Sequence, residues 1–506
     1  MAVALSGACS QGKDYRDEKI TMEAFSALKT PAFAFDLDEI RALLRQLCEE
    51  RGGLTGDAST RRYYQETSSL LWVDRNGVDR RADSLLSCLR RVGSEGLSGR
   101  AFLIDDIERD LRRFRALDFT AEETVNKVAA RLEFHLTKAC MRYAYGQRYG
   151  FVNPGKLFNN LDIESQDTIR NIVNYRGLFG ADMETAPSGY DSLVRGKIAA
   201  GEIADYLRSV QPQDPMYLRL REMLAAATTA EERRRILCNM ERCRWRLTHP
   251  IPDKGKYVVV NIPAYHLYAH DGDSVLDMRV VCGAVSTKTP LLTSYVEWME
   301  VNPQWVIPAS IVQCDVVRHA GDSAYFARNR YDVYERATNR QIAAHRATRE
   351  MLLSGKYRVA QQSGADNALG RIVFRFKNPF QVFLHYTSNP GAFQRASRAM
   401  SHGCVRVARP FELASFLLTD PDEWLLDRIR ISMDLQPETE QGMSYLRRNP
   451  EQKEHKLVSY VPVKPRVPLY IIYNTLWPDE HGQLRTWPDV YGYDKVLWDS
   501  LKPFMP

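Results

Sequence analysis

The chain has 506 residues, is 44% hydrophobic and 26% charged, and carries a formal net charge of +6, a profile that suits a folded protein with room for two or three domains. Its arginines are scattered, and there is no dense basic run interleaved with aromatics, no zinc-finger spacing and no phosphate-cradling glycine loop, which argues against nucleic acid and nucleotide partners. No apolar run reaches the roughly eighteen residues that a membrane-spanning helix needs.

In chain order, residues 1–25 read as a tail. Small residues lead up to Cys9, as at the end of a lipoprotein signal, although Ser6 stands where such signals favour leucine and Leu5 lies one place further away. Cys9 is therefore a candidate lipidation site if translation begins upstream, and the alternative is a disordered tail. Residues 26–248 read as helical. Leu37–Leu47, Ser84–Val92 and Ala129–Tyr145 place apolar residues at three- and four-residue intervals, the pattern of amphipathic helices packed on one another. A further helix is expected through Arg234–Trp245. It contains Cys238 and Cys243, whose spacing fits neither a redox pair nor a zinc knuckle. Of the nine cysteines, all but Cys9 and Cys404 are expected to be buried free thiols.

From residue 254 the pattern changes to alternation. Lys256–Tyr268 reads as a strand, a turn at Pro263 and a second strand, and Ser274–Val281 reads as a third. Residues 308–363 interrupt this domain with a segment of helical character around Arg340–Leu353, rich in aromatics at Tyr325, Phe326, Tyr331 and Tyr334. It suits either a mobile element over a polar substrate or a solvated helical excursion.

The apolar run Val382-Phe383-Leu384 then ends at His385, and fifteen residues separate it from Ser401-His402-Gly403-Cys404. A thiol attacks a carbonyl well only as thiolate, which makes Cys404 a candidate nucleophile and His385 its candidate base. Gly403 permits the tight turn that exposes the sulfur and aims main-chain N–H groups at a developing oxyanion. Pro410–Leu418 starts a helix behind this loop. The domain is expected to close near residue 435, leaving 436–506 as an extension. Within it, Gln436–Lys456 reads as a polar connection, Pro468–Tyr473 as a strand returning to the sheet, and Trp487–Tyr493 as an aromatic tail.

His385, the spacing and Ser401-His402-Gly403-Cys404-Val405 together resemble the signature of the L,D-transpeptidase family. Thr289-Pro290, Asn302-Pro303-Gln304-Trp305-Val306-Ile307-Pro308 and Asn367-Ala368-Leu369-Gly370 are similar to segments of its larger members. Arg406 stands where the pattern often has asparagine. The resemblance implies an α+β multidomain protein: a helical N-terminal scaffold domain, then a mostly β catalytic domain with a helical lid at 308–363. It also implies Cys404 as acyl acceptor, His385 as base, the Tyr386 carbonyl as the group orienting the imidazole, and the amides of His402, Gly403 and Cys404 as oxyanion donors. Ser401, Arg406, Trp305 and Asn302 are the expected substrate-binding positions, with Asn302, Trp305, Asn367 and Gly370 expected to form walls or set turns rather than do chemistry. Larger members often carry a peptidoglycan-binding module before the leading helix, but here only Gln213–Glu232 is available, too few residues for a module with its own core.

The activity so implied is 3-3 crosslinking of peptidoglycan tetrapeptide stems, which serve as donor and acceptor, with no metal or organic cofactor and with carbapenems as inhibitors. The location implied is the periplasm or cell envelope, with membrane attachment through a lipid on Cys9, and the mildly positive charge suits an anionic wall polymer. A carboxypeptidase trimming the same stems, and a non-catalytic envelope scaffold, remain as alternatives.

Overall fold

The computed structural model describes residues 32–49, 53–67, 69–74, 77–161, 177–452, 455–479 and 481–506. Cys9 lies outside them. The chain divides into two compact units. One comprises the described residues up to Pro154 with Met183–Thr248 and Gly492–Pro506, and the other comprises Gly155–Asp182 and His249–Tyr491.

The first unit is helical and is organised around Val125–Tyr149, whose side chains are buried on nearly every face. Thr124 caps its start by accepting the Lys127 N–H, and Gly150, at φ +90°, ends it. The expected helices over 37–47, 84–92, 129–145 and 234–245 appear as Leu37–Leu47, Arg80–Leu89, Val125–Tyr149 and Ala230–Arg244. Pro215–Ala226 is a single helix, with Asp214 accepting the N–H groups of Met216 and Tyr217. Tyr493–Leu501, at the end of the chain, also belongs to this unit.

The second unit is built on β1 (Lys256–Asn261), β2 (His266–Asp271), β3 (Ser274–Gly283), β4 (Leu291–Val301), β5 (Ile372–Phe376), β6 (Leu384–His385), β7 (Val405–Val407) and β8 (Tyr460–Ile472). Pairing runs β5-β6-β7-β3-β2-β1-β8-β4 and returns from β4 to β5, so the eight strands close on themselves. Two of these pairings are parallel, β6 with β7 and β1 with β8. Closure leaves few free edges and buries a Val-rich interior that includes Val258, Val260, Val280, Val296, Val373, Val405 and Leu469.

The insertion differs from the helical element expected. Its helices are short, Ala309–Cys314, Ser323–Arg328 and Arg349–Leu353. Between them Tyr331–Glu335 and Tyr357–Gln361 form an antiparallel pair, extended by Gln341–Ile342 on one side and Trp305–Val306 on the other. Alternating Tyr and Val in these segments favours strands, and their cross-strand pairing overrides the helix-like spacing of 340–353. The insertion has its own core, with Val312, Val316, Phe326, Val333, Leu352 and Val359 all buried. The polar connection expected over 436–456 contains the helix Glu440–Arg448; Leu476–Pro478 and Leu484–Thr486 form a separate hairpin ahead of the aromatic tail, and the tail, Trp487–Tyr493, is loop and turn leading into Tyr493–Leu501.

Candidate active site

Strand β6 delivers His385 and the start of β7 delivers Cys404. Leu384 pairs with Val405 and His385 with Arg406 in parallel register, and the Val405 N–H donates to the Phe383 carbonyl at 3.1 Å. Leu384 and Val405 enter the core, so alternation turns His385, Arg406 and Cys404 to the opposite face. Gly370, at φ +65°, packs directly beneath this strand. A Cβ there would lie 2.7 Å from the Thr387 nitrogen and 2.7 Å from the Tyr386 Cβ, so only glycine allows the approach.

His385 is buried, with an edge-on contact to Phe383 at 6.2 Å between ring centroids. Burial pushes its imidazole down to about 3, and the Arg406 guanidinium adds to the effect. At neutral pH the ring is therefore an uncharged base. Main-chain hydrogen bonding at Tyr386, the group expected to orient the imidazole, and at Leu369 favours the charged ring and opposes that shift. The Tyr386 side chain stacks on Phe393, with centroids 6.5 Å apart.

Arg406 is half-buried, and its Nε has no hydrogen-bond partner. Desolvation lowers its pKa, and the adjacent Cys404 opposes that shift. A cation, a neutral imidazole and a thiol thus share one face, as nucleophilic acyl transfer requires. Cys404 is half-buried, whereas burial pushes the Cys282 thiol up to about 12 and so keeps it inert. Two cysteines depart from the expected burial: Cys243 is half-buried and Cys314 is exposed at the end of Ala309–Cys314.

The nucleophile loop is clamped from several sides. Arg398 donates to the carbonyls of Val280 at 3.1 Å, Arg395 at 2.9 Å and Tyr265 at 3.1 Å. Ala399–Ser401 runs parallel to the end of β3, and the Ser401 carbonyl accepts from the Ala284 N–H and the Thr287 hydroxyl, each at 2.8 Å. Gly403 adopts φ +115°, the turn its position predicts.

Four expected roles change. Ser401 is buried. Its hydroxyl donates to the Cys404 carbonyl at 2.5 Å and accepts from the Gly403 N–H at 3.1 Å, so it clips the loop and is not placed to touch substrate. The Gly403 N–H, one of the three expected oxyanion donors, is committed to that bond. Asn302 is buried at φ +48°, its side-chain oxygen accepts from Arg371 at 2.9 Å, and it sets a turn. Trp305 pairs with Gln361 and packs against the insertion core, at the root of that element.

Sequence reasoning missed the support behind Gly403. The buried Thr289 hydroxyl donates to the Gly403 carbonyl at 2.9 Å. Nothing local marks that contact, because it joins residues 114 apart.

Comparison with known proteins agrees with this geometry. Residues 255–431 match the L,D-transpeptidase catalytic domain, and residues 58–224 match the Scaffold domain. A Haemophilus influenzae protein named "Putative L,D-transpeptidase" is 29% identical over 312 residues, a stretch spanning 60% of this chain and 59% of that relative. With both domains matched in that order, the chain carries a Scaffold domain followed by an L,D-transpeptidase catalytic domain.

Proposed function

We propose that this chain is a peptidoglycan L,D-transpeptidase that forms 3-3 crosslinks between tetrapeptide stems through a thioester on Cys404. The parallel pairing of β6 with β7 carries the proposal, because it sets His385 and Cys404 on one face beside the Gly403 turn. Neutral His385 takes the thiol proton, and the thiolate attacks the carbonyl that joins the L-centre of the third residue to D-alanine. The oxyanion forms against the loop amides. Its collapse breaks the C–N bond, and the imidazolium returns its proton to the departing D-alanine. The side-chain amine of a second stem then attacks the thioester, passes a proton to His385 and expels the thiolate.

Arg406, half-buried beside Cys404, supplies the guanidinium that meets a stem carboxylate. The insertion at 308–363 acts as a lid that positions the stem and excludes water. The substrate places the protein in the periplasm or envelope, with a lipid on Cys9 if an upstream signal precedes it. Among the described residues no helix is long and apolar enough to cross a membrane.

Mass spectrometry of products from purified disaccharide-tetrapeptide tests the reading. A crosslinked dimer that has lost one D-alanine, joined between third residues, is expected. Stems shortened by water alone would mark a carboxypeptidase, and unaltered stems a non-catalytic scaffold.

A further inference from the structure

Gly403 poses a mechanical problem. The turn needs a residue at φ +115°, which glycine supplies, but glycine is also the residue least able to hold a peptide plane in place. In a trans peptide the Gly403 carbonyl and the Cys404 N–H point in opposite directions, so whatever holds the first aims the second.

The Gly403 carbonyl is held by Thr289, and Thr289 is itself held on two sides. Its hydroxyl accepts the Gly283 N–H at 2.8 Å, so its own proton goes to the Gly403 carbonyl. The Thr289 N–H donates to the Tyr491 hydroxyl at 3.1 Å, and that hydroxyl in turn donates to the Gly283 carbonyl at 2.7 Å. Burial pushes the Tyr491 phenol well above its usual range, so it remains a donor. Tyr491 is itself fixed, its N–H donating at 2.8 Å to the Tyr473 hydroxyl, which donates to Asp489 at 2.6 Å. Gly283 allows the close approach, since a Cβ there would fall 2.1 Å from the Thr287 carbonyl oxygen. Gly283, Thr289, Tyr491 and Gly403 are thereby tied into one ring of hydrogen bonds.

We propose that Thr289, locked by Gly283 and Tyr491, is the positioning residue of the oxyanion site: it fixes the Gly403–Cys404 peptide plane so that the Cys404 N–H stays aimed at the acyl carbonyl oxygen. The inference rests on the acyl transfer proposed at Cys404. It assigns no proton transfer to Thr289. It also gives the C-terminal segment Tyr473–Tyr491 a task in the chemistry, delivered through hydrogen bonds to the back of the nucleophile loop.

Two reactions of the same thiol separate this role from simple structural support. Iodoacetamide alkylates Cys404 by displacement at a saturated carbon and forms no oxyanion, whereas imipenem acylates it through a tetrahedral oxyanion. Both rates are measured by intact-protein mass spectrometry in a Cys314→Ser background, because Cys314 is exposed. Thr289→Val is expected to slow acylation by roughly tenfold to a hundredfold, as loss of oxyanion geometry does. The alkylation rate and its pH midpoint are expected to stay unchanged, and Thr289→Ser to restore acylation. Tyr491→Phe is expected to give a smaller loss of the same kind, and it decides the matter if Thr289→Val does not fold. Equal slowing of both reactions, or of neither, would overturn the positioning role. If Cys404 of the parent protein is alkylated but never acylated, the acyl-transfer reading fails and takes this inference with it.

Discussion

In the helical unit Glu133 is fully buried, yet its carboxylate receives the N–H groups of Leu71, Trp72 and Val73 and the hydroxyl of Tyr64. Arg142 and Asp57 are likewise buried together in a two-pronged pair at 2.6 and 2.9 Å. In the catalytic unit His385 is buried with Nδ1 unbonded, and Arg406 keeps an unbonded Nε beside it. Buried polar groups are costly unless partnered, and the imidazole and guanidinium that flank Cys404 each keep one nitrogen without a protein partner. His135 of the helical unit also has an unbonded Nδ1, with the half-buried cations Lys138 and Arg131 near it. The difference between structural and chemical burial lies in the company of each group, not in its depth.

Four variants probe that contrast. His385→Ala should slow acylation of Cys404 by roughly 10²–10⁴-fold, the usual worth of a general base, with only a modest fall in melting temperature. Arg142→Met should do the reverse. It strands the Asp57 carboxylate and should cost roughly 3–5 kcal/mol in urea unfolding, while the alkylation rate of Cys404 in the folded protein stays unchanged.

Acid should expose both histidines. The His385 imidazole is held at about 3 and that of His135 at about 4, both by burial, against roughly 6.5 in the unfolded chain. The unfolded state therefore binds protons that the folded state refuses, and stability falls as pH falls below the unfolded value. Each imidazole should contribute up to about 2 kcal/mol of loss between pH 7 and 5. Urea titrations of His385→Asn and His135→Asn should each show a shallower acid limb, but only the first should lose acylation.

The smallest effect is expected from the insertion. The Ile307 N–H donates to the Val359 carbonyl at 2.9 Å and Gln361 pairs with Trp305, so the two ends of the insertion already meet. Replacing residues 308–358 with a short Gly-Ser turn should leave the closed sheet folded and raise the KM for tetrapeptide stems by roughly tenfold. Unchanged kinetics would remove the lid from the mechanism.

Local pattern made much of this legible. The opening strands β1 to β3, the strand ending at His385 and the glycine turn before Cys404 were written in alternation and in residue type, as was Pro410 at the first turn of Pro410–Leu417. Contacts between distant residues were not. Val359 pairs with Val333 and Leu469 with Val258, and neither pairing leaves a trace at either position alone. For the same reason the insertion looked helical, Ser401 looked like a substrate contact, and Thr289 passed without a role. Depth of burial and direction of hydrogen bonds decided all of these, and both are properties of the folded chain.

The central claim is that Cys404 is the acyl acceptor and His385 its base, and the most direct test is intact-protein mass spectrometry after exposure to imipenem. The account predicts one adduct on the parent protein, none on Cys404→Ala, a greatly slowed adduct on His385→Ala and an undiminished one when Cys282 or Cys314 is replaced. An adduct that survives in Cys404→Ala, or one that forms at full rate without His385, would contradict it.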